Sequence, residues 1–217
     1  MTITTIDLYT DISCPWCLIG QHRLEKVLAE RFPQVEADIV HHPVLLLPDC
    51  PPEGMAIVDM LRSRYGITDP AQAWARPEAE ARLSGLDLDL RRQPRVYRTQ
   101  AAQTLIRHAR SRGTQHGLSV ALIKAYFLDA RDISAVDVLA DVAGRYGFGS
   151  GEVRALCENE RELLETEADA RRSSTSGVRS VPHFVFASGL ELVGGQSEDA
   201  IAAALDNVFH RGAEARA

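Results

Sequence analysis

Long apolar runs are missing from this 217-residue chain. No stretch approaches the roughly 20 apolar residues that a membrane helix needs, so no membrane association is expected. A basic surplus is missing too: 24 lysines and arginines stand against 30 acidic residues, a formal net charge of −6. With no positive excess to displace counterions, a nucleic-acid partner is not expected either. Cysteine is scarce, with four residues in all, which excludes a small scaffold stapled by disulfides. The stretch Met1–Asp7 carries neither a basic segment nor the apolar run of a secretory leader. The expectation is a cytoplasmic protein whose thiols are kept reduced.

What remains is an ordinary globular composition, 45% apolar and 25% charged, long enough to bury a sizeable core. Two of the four cysteines, Cys14 and Cys17, lie three positions apart. In a reducing compartment a close pair points to redox chemistry or metal binding before it points to a structural bridge.

The chain reads as β, then helical, then β again. Thr5–Tyr9 alternates polar and apolar residues, as a half-buried strand does. After Cys14-Pro-Trp-Cys17 a helical period runs to about Arg31, with Pro15 suited to the first helical position. Val35–Val40 reads as a second strand, completing a right-handed βαβ unit. From Pro48 to about Ser174 the patterns are helical: 54–65, 70–83 broken near Pro77, 99–112, 115–130, 135–146 and 152–172, with a loop over 86–97. Val181–Phe186 and Leu190–Val193 form a hairpin, and Ser197 caps a last helix. The expected fold class is α/β. Residues 1–47 and 175–217 form a discontinuous sheet domain, and 48–174 form an all-helical insertion.

On a helix, residues i and i+3 share a face with Cβ atoms roughly 5–6 Å apart. A disulfide needs about 3.5–4.5 Å, so a small adjustment opens or closes the bond. Cys14 falls where strand hands over to helix, beside free N–H groups and the positive end of the helix dipole. Both favour a thiolate, the species that attacks disulfides. Cys14 is therefore the expected nucleophile and Cys17 the resolving thiol. A zinc site would need two more ligands. Cys50 and Cys157 are isolated, and His41 and His42 are neighbours on a strand and point to opposite faces. No metal is expected.

Other candidates carry less chemistry. His22 lies well round the helix from both cysteines and reads as a solvated residue. His183 reads equally as a site neighbour or as a strand residue facing away. Trp16 is either an apolar contact for substrate or a packing residue at the turn. Arg171, Arg172 and Arg179 read as solvated, Cys50 as a spare thiol and Cys157 as buried filler.

The segment Asp11-Ile-Ser-Cys-Pro-Trp-Cys-Leu-Ile-Gly20 with Arg23-Leu-Glu-Lys26 resembles the DsbA-like thioredoxin-fold family, specifically the FrnE-type dithiol–disulfide oxidoreductases. Pro43-Val-Leu-Leu-Leu-Pro-Asp49, Lys124-Ala-Tyr-Phe-Leu-Asp-Ala-Arg-Asp-Ile133 and Val178-Arg-Ser-Val-Pro-His-Phe-Val-Phe186 extend the resemblance over about residues 7–205. It implies a thioredoxin-like sheet interrupted by helices, and a cis Val181–Pro182 bond facing the cysteine pair. Backbone just before that proline would pair with an extended substrate. Pro15, Trp16, Val181 and Pro182 are thus the expected substrate contacts, and Cys14 and Cys17 the catalytic pair.

The implied partner is a peptide or small molecule bearing a thiol or disulfide. No cofactor is obligatory, glutathione is admitted as a co-substrate, and monomer or homodimer is left open. Departures at Val44, Leu47 and the segment Arg98–Gln103 keep substrate preference from being carried over. Two alternatives stay open. One is a glutathione-dependent isomerase like the 2-hydroxychromene-2-carboxylate isomerases, a related branch usually with serine at the first cysteine. The other is a peptide-binding chaperone with a vestigial pair.

Overall fold

A computed structural model describes residues 2–214 of the chain. Residue 1 and residues 215–217, counted above with the sheet domain, lie outside the described residues. Strands are β1 (Thr2–Thr10), β2 (Val35–Pro43), β3 (Met55–Ala56), β4 (Arg95–Val96), β5 (His183–Phe186) and β6 (Glu191–Val193). Helices are α1 (Pro15–Arg31), α2 (Ile57–Tyr65), α3 (Pro70–Leu83), α4 (Gln100–Ala109), α5 (Gln115–Phe127), α6 (Val136–Gly144), α7 (Ser150–Glu158), α8 (Glu160–Thr175) and α9 (Glu198–Glu214).

The main sheet has the order β2-β1-β5-β6, with β1 and β2 parallel and the other pairs antiparallel. Alternation along β1 buries Ile6 and Leu8 against Leu24 and Val27 of α1 and Ile201 and Leu205 of α9. The helical segment builds a second core, from Leu105, Leu118, Leu122 and Ile123 among others. That core takes in Ile12, Cys14, Cys17 and Leu18. The start of α1 is therefore packed by the helices as well as by the sheet. Strand β2 is an edge, and an open edge invites wrong pairing. Here the Gln115 side chain acts as a stand-in strand: its Oε1 accepts from the His41 N–H at 3.1 Å and its Nε2 donates to the His41 carbonyl at 3.2 Å.

Several helical boundaries differ from expectation for local reasons. Pro77 sits inside an unbroken α3; the helix forgoes one backbone bond and keeps its buried contacts. The expected helix over 152–172 is two, α7 and α8, because Asn159 leaves helical geometry and its side chain accepts from the N–H groups of Arg161 and Glu162. Residues 86–97 hold a short 3-10 turn at Leu90–Arg92 and strand β4, which pairs with β3. Helix α5 is buried on more than one side, with Val120 and Phe127 buried as well as Leu118 and Leu122.

Candidate active site

Strand β1 ends at Thr10, and four residues later Cys14 is the N-cap of α1 with Pro15 at the first helical position. The N–H groups of Cys17 and Leu18 are taken by the Cys14 carbonyl at 3.0 and 3.3 Å. All four cysteines are free thiols. Cys14 is 7% exposed and Cys17 fully buried. Burial pushes the Cys17 thiol well above its ordinary range, and its hydrogen bond and charge interaction with Cys14 push it further. Cys17 thus holds its proton while aimed at the Cys14 sulfur.

The peptide bond Val181–Pro182 is cis. The Val181 carbonyl accepts from Cys14 Sγ at 3.8 Å, so the start of β5 and the start of α1 meet at the thiol. Gly20 makes that approach fit. A Cβ on it would stand 2.9 Å from Cγ of Pro182 and 3.1 Å from Cζ of Phe184. Trp16 is half-buried, and its ring lies over Gly195, where a Cβ would fall 2.2 Å from Cε3. The Arg76 guanidinium stands 5.4 Å from the ring centroid. The tryptophan therefore serves as both packing residue and cavity wall.

Asp11 organises the loop from below. Fully buried, it accepts from Ser13 N at 2.9 Å, Ser13 Oγ at 3.1 Å and Leu46 N at 2.6 Å. Burial raises its carboxyl above the ordinary range, and those hydrogen bonds oppose the rise. Arg23, 3% exposed, ties α1 to the neighbouring loops. It donates to Ser84 Oγ at 2.7 Å, to Glu80 Oε2 at 2.7 Å and to the Gln196 carbonyl at 2.8 Å, next to the Gly195 that seats Trp16.

Beside Cys14 opens a cavity of about 310 Å³. Ser13, Pro15 and Trp16 form one wall, and Met60, Leu61 and Trp74 of α2 and α3 face them.

The structure brings Cys14, Cys17, Pro15, Trp16, Val181 and Pro182 into one neighbourhood. Five of the other candidates have partners elsewhere. His22 donates to the Ser84 carbonyl at 2.9 Å. His183 pairs with Glu191 at 3.0 Å. Arg171 and Arg172 pair with Glu167 and Asp169 on their own helix. Cys50 donates to the Val96 carbonyl at 3.7 Å. Burial pushes the Cys157 thiol up to about 11. Among the described residues no three His, Cys, Asp or Glu side chains are grouped to hold a metal ion, and no helix is long and apolar enough to cross a membrane.

Asp11, Gly20 and Gly195 were not singled out from sequence. Asp11 had a legible local signal, since an Asp two residues before Ser13 suits an Asx turn. Both glycines needed the neighbouring ring in place to show their purpose.

A β-sheet that brings a cis-proline against the capping cysteine of the first helix, with helices inserted between strands, is a thioredoxin-like architecture. The model of the DsbA-like thioredoxin domain matches residues 5–206, and the chain belongs to that family. A probable DsbA oxidoreductase from Streptomyces coelicolor is 28% identical, with a TM-score of 0.82 over 95% of this chain and 90% of that one. The cytosolic disulfide reductase DsbM of Pseudomonas aeruginosa, solved with GSH, is 18% identical with a TM-score of 0.64, over 95% of this chain and 99% of that one. A 2-hydroxychromene-2-carboxylate isomerase is 13% identical with a TM-score of 0.72, over 97% of this chain and 98% of that one. The last two share the fold. No curated protein matches the chain.

Proposed function

We propose that the protein is a thiol–disulfide oxidoreductase in which Cys14 is the nucleophile and Cys17 the resolving thiol. The observation that carries this reading is the meeting of Cys14 Sγ, at the N-terminus of α1, with the Val181 carbonyl ahead of the cis-proline. A sulfur so placed has the helix dipole behind it and a backbone edge beside it, so a substrate's own backbone can dock while its sulfur lies in line. Pro15 and Trp16 shape the approach.

The Cys14 thiolate attacks a disulfide R–S–S–R′, forming the Cys14–S–S–R bond and releasing R′S⁻, which takes a proton from solvent. Cys17 then gives up its proton to solvent and attacks Cys14 Sγ. The Cys14–Cys17 bond forms, RS⁻ leaves, and two electrons have passed from the protein dithiol to the substrate. Two molecules of a small thiol such as glutathione restore the dithiol. The sequence of steps runs in either direction, as the potentials of the partners dictate. The helical segment 48–174, in this reading, is the inserted unit that shapes the cleft for a pair carried by 1–47 and 175–217. A reducing compartment such as the cytoplasm suits four unbridged cysteines.

The isomerase alternative asks a hydroxyl to hold a glutathione thiolate. The one beside the site, Ser13, is engaged with Asp11, which supports the redox reading instead. Exchange with oxidised glutathione and with a disulfide-bridged peptide tests it. Cys14→Ser is expected to abolish exchange, and Cys17→Ser to accumulate the mixed disulfide on Cys14. Undiminished exchange by Cys14→Ser overturns the reading. A holdase effect that persists in the double variant, without exchange by the wild type, identifies a chaperone instead.

A further inference from the structure

The cavity beside Cys14 has a chemical character of its own. Its lining, all of it among the described residues, contains no charged side chain. Both tryptophans of the chain, Trp16 and Trp74, are in that lining, with Met60, Leu61 and Phe127. The guanidinium groups of Arg76 and Arg91 stand 5.4 and 5.8 Å from the centroids of those two rings, yet neither arginine lines the cavity. The Tyr126 hydroxyl, which would be a polar handle, donates to the Arg95 carbonyl at 3.0 Å.

At about 310 Å³ the volume sits at the small end of ligand sites, which run from about 300 to 1,000 Å³. That space suits one aromatic ring or a short branched alkyl group, and not a run of peptide. Glutathione carries two carboxylates and an ammonium group, and charges moved there would find no partner.

We infer that this cavity is the alkyl- or aryl-group site of the redox centre, and that the protein acts on small disulfides or thiols whose sulfur bears an uncharged, apolar substituent. The inference rests on the redox role of Cys14 proposed above. The apolar group enters between the tryptophans and sets its sulfur against Cys14 Sγ. Attack forms the mixed disulfide with the group retained in the cavity, and the other half leaves as a thiolate. Cys17 then closes the protein disulfide and releases the apolar thiol. Two molecules of a small hydrophilic thiol return the pair to its reduced state from the solvent side, passing two electrons and two protons to it and leaving as their own disulfide.

Three disulfides test the inference: neutral 4,4′-dithiodipyridine, dianionic 5,5′-dithiobis(2-nitrobenzoate) and dicationic cystamine. Each rate with the reduced protein is divided by its rate with free glutathione, which removes intrinsic reactivity. Two charged probes of opposite sign remove the steering effect of the protein's net charge. The neutral aromatic probe is expected to be favoured over both by about tenfold or more, the scale of discrimination an apolar pocket gives. Met60→Glu, at a half-buried position, is expected to lower that neutral-to-charged ratio about tenfold.

A second measurement does not depend on that variant folding. In Cys14→Ser/Cys17→Ser protein, diphenyl disulfide is expected to quench tryptophan fluorescence saturably, and oxidised glutathione is not. Equal normalised rates for the three probes, or quenching by glutathione disulfide alone, overturn the inference and leave the redox role standing. Failure of the redox role looks different: no probe reacts faster than with a free thiol, and Cys14→Ser changes none of the rates.

Discussion

Cys14 Sγ lies 3.8 Å from the carbonyl oxygen of Val181, a residue 167 positions further along the chain. The two are joined because β1, which leads into Cys14, and β5, which leaves Pro182, are neighbours in the sheet, with Tyr9 opposite His183. Exchange at Cys14 therefore depends on a contact that neither segment makes alone. Cys14→Ser is expected to reduce disulfide exchange by roughly a thousandfold or more, the scale on which loss of a nucleophile falls. Cys17→Ser is expected to leave the first attack and stop the second. Mass spectrometry of the quenched reaction reads the trapped adduct directly.

Gly20 and Gly195 are space-makers. Gly20→Ala puts a methyl group against the rigid Pro182 ring. It is expected to cost about 1–3 kcal/mol of stability, as overpacking does, and to slow exchange by moving α1 from the cis-proline segment. Gly195→Ala displaces the Trp16 ring. In a double-mutant cycle Trp16→Ala is expected to relieve most of that cost, because the clash then has no partner. Urea unfolding of the four proteins measures the coupling.

His41, which is buried, and His116, which is half-buried, pair Nε2 to Nδ1 at 2.9 Å; His41 Nδ1 has no hydrogen-bond partner, and His116 Nε2 lies 3.7 Å from Glu25 Oε1. Burial pushes His41 well below its ordinary range, helped by His116 and His42. Burial and the Lys124 charge push His116 down to about 4. An unfolded histidine binds its proton near pH 6.5. Between there and about pH 4 the unfolded chain holds more protons than the folded one, so stability falls as the pH is lowered. Above that window the full stability is present. Denaturation midpoints at pH 7.5 and pH 5 are expected to differ, and His116→Gln to shrink the difference.

Asp11 has the opposite sign. Its carboxyl titrates above the ordinary value because burial disfavours the anion. The folded state then keeps a proton that the unfolded chain has already lost, and stability declines as pH rises from about 4. Asp11→Asn removes this dependence. It keeps one acceptor oxygen where the carboxylate serves both Ser13 N and Leu46 N, and one unmet buried donor costs about 1–3 kcal/mol. Thermal unfolding across pH 4–8 for the two proteins separates the two effects.

Much of this molecule is legible in one dimension. Helix α1 starts at Pro15 and ends at Arg31, as its period and leading proline suggest. Ser197 caps α9 by accepting from Ala200 N at 3.1 Å. His41 and His42 do face opposite ways: one pairs with His116, while the other stacks 4.5 Å from Tyr9. These are local matters, settled by neighbouring dihedrals and by spacing along an element. Asn159 was readable on the same terms, since Asn followed three residues later by Glu162 suits a helix start.

The cysteine spacing, the leading proline and the β–helical–β order were all present in the order of residues, because each depends on groups a few positions apart. The cavity was not. Its walls come from positions 13 to 127, on loops, helices and the short strand β4 with no shared period, and only packing makes them face one another. The same holds for the empty space at Gly20 and Gly195 and for the burial that holds the proton on Cys17. Close approach and loss of solvent are properties of the assembled core, where residues far apart in the chain exclude water together.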